Sequence, residues 1–340
     1  MTQGAAQKLR VGIVGAGTIG KRLVDAVLAQ PDMSLAGVAM RRDSAFAAAR
    51  ASSISLYNSG NSGAFGPLAF QGDLRALLNN CDVVADCGPR GTAAARKALY
   101  AEYGCPFVLQ GGEPADDELS YCSAFGAERA RGAQAARVVS CNTTALVRFV
   151  AALAPLAPIA HLRLVLARCA TDPDKASKGE PMGLTADRGY SHHADDLRLF
   201  WPGLDVSSLG LKAPTNRGHM ITGFLSFERH VSLSDIRDAL RDAPRVQMAD
   251  GTPETVDIRT RFGQGLRKDC HDLIAWSDAL MLAKRELAFV LSVHMESIVI
   301  PDSIDALRLI GHPEQSLDDV TALTDAALGG ADTPQMMQVS

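Results

Sequence analysis

Little in this sequence speaks for a membrane, a nucleic acid or an oxidising compartment. The longest apolar run, LVRFVAALAPLAPIA, has fifteen residues and carries Arg148, Pro155 and Pro158. It is too short and too broken to cross a bilayer. The start, MTQGAAQKLR, has no apolar core, so a secretory signal is not expected. Aromatic residues make up 5% of the chain, too few for a base-stacking surface, and a net charge of −4 gives no pull toward nucleic acid or anionic lipid. Internal repeats are absent. The seven cysteines, at 81, 87, 105, 122, 141, 169 and 270, form no CxxC pair and no Cys/His metal spacing. A disulfide framework and a metal centre are therefore not expected, and a reducing cytoplasm is.

What is present is a chain of 340 residues, 47% apolar, long enough for two domains. RVGIVG (10–15) is a β-type run ending in glycine, TIGKRLVDAVLAQ (18–30) has helical spacing, and MSLAGVAM (33–40) reads as a second strand. Further helix–strand pairs follow up to ARVVSC, with ELSYCSAFGAERARG read as the last of these helices. This alternation predicts a doubly wound parallel sheet, an α/β Rossmann domain over 1–139. From 140 to 300 longer strands, among them HLRLVLARCATD and AFVLSVHMESIVIP, predict an α+β domain with a mostly antiparallel sheet. Residues 301–340 are expected to be helical and to pack back on the first domain, with a mobile tail.

Gly15-Ala16-Gly17-Thr18-Ile19-Gly20 is GxGxxG between a strand and a helix, the context in which it cradles a dinucleotide. Gly15 permits the turn, Gly17 lets backbone approach a pyrophosphate, Gly20 lets the helix pack, and Thr18 and Ile19 offer N–H groups. An NAD-selective site usually ends the second strand with an acid. Here Arg41 and Arg42 follow it, a fork suited to a 2′-phosphate, so NADP is favoured and NAD tolerated. The alternative is that both arginines solvate a loop, with Asp43 close enough to pair with one.

Cys141 follows the apolar run and opens a helix, at the expected boundary between the domains. The helix N-terminus and any cation opposite would lower its pKa, and Thr143, Thr144 and first-turn N–H groups would receive an oxyanion. A thiolate with a nicotinamide cofactor points to aldehyde oxidation through a thioester. Against this stands a capping turn in which Ser140 and Asn142 bond locally. His219, before an apolar strand, is either a proton carrier with a near-neutral pKa or a core histidine. Arg168 is a phosphate clamp or an ion-pair partner of Asp172. His192 and His193, if extended, point to opposite sides, so one of them is structural on that reading.

The segments GTIGKRLVDAV, QGGE (110–113), RVVSCNTTALVR, SHHADD (191–196), APTN…H (213–219) and HMESIVIPDSIDALR (294–308) occur in this order. Together they resemble the archaeal-type (type II) phosphorylating glyceraldehyde-3-phosphate dehydrogenases, from about residue 10 to about 310. The resemblance implies a Rossmann domain with an α+β catalytic domain, in a cytoplasmic homotetramer. It implies reversible conversion of glyceraldehyde 3-phosphate, inorganic phosphate and NAD(P) to 1,3-bisphosphoglycerate, in glycolysis or gluconeogenesis, and no nucleic-acid or membrane partner. On this resemblance Cys141 matches the nucleophile and His219 the histidine that assists it. Ser140, Asn142, His192 and His193 match the family's substrate contacts, and the residue reading above adds Thr143 and Arg168 to the substrate side. Thr18, Ile19 and Gly111 match its cofactor contacts, and the residue reading above adds Gly15, Gly17, Gly20, Arg41 and Arg42, the last two in a loop where the family usually carries lysine. The chain departs from the family at two cofactor-side positions: Cys169 stands where the family commonly has Arg, and Met295 where it has Gln. Other readings are a divergent member acting on another phosphorylated or anionic aldehyde, like the semialdehyde dehydrogenases, and a non-catalytic NADP-binding redox sensor.

Overall fold

The computed structural model describes residues 7–41, 44–60, 68–110, 112–116, 118–169, 183–215, 217–265 and 267–329. In chain order the elements begin with β1 (Leu9–Val14), α1 (Thr18–Ala29), β2 (Met33–Met40), α2 (Ala45–Arg50), β3 (Leu56–Asn58), α3 (Leu74–Leu78), β4 (Val83–Asp86), α4 (Ala94–Glu102), β5 (Phe107–Leu109), β6 (Leu119–Tyr121) and β7 (Ala135–Val138). Next come α5 (Cys141–Leu153), β8 (Ile159–Cys169), β9 (Thr185–Ala186), α6 (His193–Arg198), β10 (Val206–Ala213), β11 (His219–Phe227), α7 (Leu233–Asp242), β12 (Val246–Ala249) and α8 (Ile258–Phe262). The chain ends with β13 (Leu273–Trp276), β14 (Met281–Ala283), β15 (Glu286–Val293), α9 (Ile300–Gly311) and α10 (Leu317–Leu328). Two compact units result. One comprises Met1–Ser123, Ala127–Val138 and Ile300–Ser340, the other Ala124–Gly126 and Val139–Val299.

The first unit holds a seven-stranded sheet in the order β3-β2-β1-β4-β5-β7-β6. All its pairings are parallel. The strand order reverses between β1 and β4, the switch point at which doubly wound sheets bind ligands. Val11, Ile13, Val83, Val84 and Val108 are fully buried, as strands covered on both faces require. Leu119–Tyr121, read from sequence as helix, is an edge strand paired with β7, and only Ala127–Ala130 turns, as 3₁₀. Ser44 and Asp73 start α2 and α3 by accepting the N–H of Ala47 and Ala76.

The second unit's sheet runs β12-β13-β15-β11-β8-β10-β9, with β14 also on β15. Among the described residues only β12–β13 and β8–β10 pair in parallel, and the other contacts are antiparallel. The long strand expected over AFVLSVHMESIVIP stops at Val293, and Ile300 already begins α9. Alternation breaks there: α9 is buried at every position from Ile300 to Ile310.

Burial on all sides obliges the polar residues of α9 to find partners. Asp302 accepts the Ser123 N–H at 2.8 Å, and Asp305 accepts the Ser123 and Thr324 hydroxyls at 2.6 and 2.5 Å. Arg308, with no exposed surface, uses both ends of its fork on Asp32 (2.7 and 2.9 Å). Its other donors reach Gln30 Oε1, the Val320 carbonyl and Thr324 Oγ1. Burial pushes the Asp32 carboxyl up, but the Arg308 hydrogen bonds and charge outweigh this and leave it below its ordinary value.

Arg308→Met leaves the Asp32 carboxylate unpaired and should lower unfolding free energy by about 3 kcal/mol, read from the urea midpoint. Because the folded Asp32 pKa is depressed, this stabilisation is present above the ordinary carboxylate range and is lost as pH falls through the lowered value. The wild-type–variant gap should therefore shrink in acid; a gap independent of pH would contradict the assignment.

Candidate active site

The glycine loop follows β1 at the C-terminal edge of the parallel sheet. Gly15 has φ +92°, and a Cβ there would lie 2.9 Å from the Cys87 carbonyl oxygen. A Cβ on Gly20 would meet the Gly15 carbonyl oxygen at 1.8 Å, so α1 packs here only with glycine. Around Gly17 nothing lies within 4 Å of such a Cβ, which leaves open the face a pyrophosphate would approach. The helix α1, containing Thr18 and Ile19, has neither a side-chain cap nor an acid in its first turn. The loop thus fits a dinucleotide. Arg41 is exposed at the end of β2, its stem against Gly60. Arg42 and Gly111 lie outside the described residues.

Two buried acids hold the neighbouring loop after β4, and sequence reading missed both. Asp86 takes a bidentate ion pair from Arg96 (2.7 and 2.8 Å), the Tyr100 hydroxyl (2.7 Å) and the Gly88 N–H. Glu113, within QGGE, accepts the N–H groups of Gly91 and Ala93. Only the fold supplies the partners of both acids.

In the second unit, Cys141 is the first residue of α5. Ser140 caps it, accepting the Thr143 N–H and lying 2.9 Å from Thr143 Oγ1. Thr143 in turn donates to Asp196 Oδ2. Asn142 Nδ2 approaches His193 Nε2 at 3.4 Å, and His193 Nδ1 lies 2.6 Å from Ser191 Oγ. His192 and His193 stack at 4.1 Å. They differ in exposure: His193 is buried and pushed down to about 2, by burial first and then by His192 and Arg168, whereas His192 faces solvent.

Beside this helix start, the Cys169 N–H donates to His219 Nδ1 at 2.8 Å, and Cys169 Sγ meets the Gly218 carbonyl at 2.9 Å. With Nδ1 occupied as an acceptor, the His219 proton resides on Nε2. Burial and Arg168 lower His219 to about 4, so the ring is neutral at pH 7 rather than titrating there. Arg168 pairs with Asp187 at 2.5 Å. Asp172, the partner considered from sequence, lies outside the described residues. Gly210 makes room for this pair, since a Cβ there would fall 2.1 Å from Asp187 Oδ2.

Cys141 feels both Cys169 and Arg168, and His193 feels Arg168 and His219, so these groups form one electrostatic neighbourhood. Its outcome differs from the sequence expectation. Burial pushes the Cys141 thiol up to about 12, against the backbone N–H groups of Asn142 and Cys141 and the charge of Arg168. Met295 sits in the turn after β15, between buried His294 and Glu296. Asp269, His294 and Glu296 bring ligand atoms within 4.8 Å of one another. However, His294 Nδ1 accepts the Cys270 N–H, which leaves the proton on Nε2 and no lone pair there for a metal.

Residues 140–278 match the family described as glyceraldehyde 3-phosphate dehydrogenase, C-terminal domain, and residues 9–112 match dihydrodipicolinate reductase, N-terminus. The chain is 33% identical over 335 residues to a glyceraldehyde-3-phosphate dehydrogenase of Hyperthermus butylicus, covering 95% of this chain and 97% of the relative. It is 35% identical to that of Haloarcula marismortui over 94% of each chain. To that of Aeropyrum pernix it is 33% identical, over 94% of this chain and 97% of the relative.

A thiol held near 12 is protonated at neutral pH without substrate. Alkylation of Cys141 by iodoacetamide should then accelerate about tenfold per pH unit from pH 7 to 9. A rate already level below pH 7 would mean a standing thiolate.

Proposed function

The chain belongs to the glyceraldehyde-3-phosphate dehydrogenase family, and from that premise we propose that it oxidises glyceraldehyde 3-phosphate, with inorganic phosphate and NAD(P), to 1,3-bisphosphoglycerate. The observation that carries this reading is a thiol at the capped start of α5 that shares the charge of Arg168 with a neutral histidine whose tautomer is set by backbone. Gly15, Gly17, Thr18, Ile19 and Gly20 hold the dinucleotide phosphates, and Arg41 favours a 2′-phosphate. When bound, the nicotinamide takes the hydride.

The chain's own groups do the rest. Cys141 Sγ adds to the aldehyde carbon, and its proton ends on the carbonyl oxygen, giving a thiohemiacetal. Addition of the protonated thiol is slow, so in this reading the reacting species is the thiolate fraction favoured by the Arg168 charge and the first-turn N–H groups. His219 Nε2–H donates to the oxygen on which charge develops. It acts as a hydrogen-bond donor, because a base at Nε2 would need the proton on Nδ1, where the Cys169 N–H already points. Asn142 and Thr143 order the first turn, and His192, exposed beside it, is available to the substrate phosphate. With the hydride passed to the nicotinamide and the hydroxyl proton released to water, a thioester remains. Inorganic phosphate then displaces Cys141 sulfur as the acyl phosphate forms. The same reading takes the protein as a cytoplasmic homotetramer. Among the described residues no helix is long and apolar enough to cross a membrane.

The test is formation of reduced cofactor from glyceraldehyde 3-phosphate with NADP and with NAD, with and without phosphate. Turnover should require phosphate and vanish in Cys141→Ala while NADP binding persists. His219→Ala should lower kcat by about 10²-fold and His219→Asn by less, since an amide still donates. No inflection from His219 should appear between pH 6 and 8. Preference for another anionic aldehyde, or NADP binding with no turnover on any aldehyde, would displace the reading.

A further inference from the structure

Outside the candidate active site, the first unit contains a pair of thiols in direct contact. Cys81 precedes β4 and Cys105 precedes β5, and their sulfurs lie 3.8 Å apart. Both are buried, at 8% and 5% exposure. The contact follows from the fold. β4 and β5 pair in parallel with Val84 opposite Phe107, so Cys81 and Cys105 stand one residue out of register at the starts of adjacent strands. Neighbouring strands are about 4.8 Å apart, and a disulfide spans Cα separations of about 4.4–6.8 Å. Gly12 of β1 lies beneath, where even a Cβ would come within 3.1 Å of Cys81 Sγ. The sulfurs are thus held together by backbone geometry.

We infer that Cys81 and Cys105 are a reversible oxidation site, converted by a peroxide into an intramolecular disulfide that staples β4 to β5. Cys105 is the attacking sulfur: the Cys81 S–H hydrogen bond favours its ionised form and lowers its pKa, while Cys81 is raised by the same contact. The Cys105 thiolate attacks one peroxide oxygen, the O–O bond breaks, and hydroxide leaves a sulfenic acid. Cys81 sulfur then displaces that hydroxyl. The S–S bond forms, the S–O bond breaks, and the Cys81 proton leaves with the departing hydroxyl as water. Two thiols and one hydrogen peroxide give one disulfide and two waters. The staple closes a loop that contains α4, at the strand starts, whereas the glycine loop follows the strand end of β1. It therefore acts on the stability of the first unit, independently of the dehydrogenase reading.

The test treats the full chain with a slight molar excess of hydrogen peroxide, blocks remaining thiols with iodoacetamide and digests with trypsin without reductant. Mass spectrometry should find peptide 76–90 joined to 98–129, with fragment ions placing the link at Cys81 and Cys105. The link should disappear with dithiothreitol and in Cys105→Ser or Cys81→Ala, and persist in Cys87→Ser and Cys122→Ser, which remove the other thiols of those peptides. In a Cys141→Ser background, oxidation should raise the thermal midpoint by at least about 2 °C. A link that forms only in denaturant, sulfinic acid at Cys105 in place of a link, or an unchanged midpoint in the linked protein would each overturn the proposal.

Discussion

The first unit depends on one buried guanidinium. Arg308 carries its charge at zero exposure, which is tolerable only because every face of its fork meets an acceptor. Those acceptors come from the turn between α1 and β2 and from α10, and Arg308 itself belongs to α9. The last helices of the chain are thereby fastened beside its first βαβ unit. Arg148 plays the corresponding part in the second unit. It lies two turns along α5 from Cys141, is buried, and donates to the carbonyls of Arg245, His271 and Ile298. Helix α5 is held on three loops from within, so its first turn presents Cys141 from a fixed position.

Around that first turn the competition is between helix polarity and burial. A thiol at a helix start gains from N–H groups, but each such gain is smaller than the desolvation of a thiolate in a dense surrounding. Burial wins at Cys141, as it does at His219 and His193. The thiol and the two buried imidazoles are therefore neutral at rest, and Arg168 is paired with Asp187. A neutral site of this kind favours hydrogen-bond donation to a developing oxyanion.

The departure at Cys169 reads differently once its surroundings are seen. Cys169 spends its backbone N–H on His219 and its sulfur on the Gly218 carbonyl. It supports the histidine through backbone, a role that no side-chain comparison could have suggested.

Much of this was legible in the residues themselves. The period-two and 3.6-residue patterns located the βαβ units, and the GxGxxG spacing fell on a strand-to-helix turn because glycine alone satisfies φ +92° at Gly15 and the close packing at Gly20. The cap at Ser140 is local too, which is why the start of α5 could be read. Tertiary structure decided what depends on residues distant in sequence. Leu119–Tyr121 became a strand because β7 offered an edge, and Ile300 began a helix because the sheet ended at Val293. The tautomer of His219, the protonation of Cys141, the partner of Arg168 and the meeting of Cys81 with Cys105 were likewise settled only in the fold. Periodicity and caps report the backbone's local choices, whereas burial and electrostatics sum over neighbours that only folding brings together.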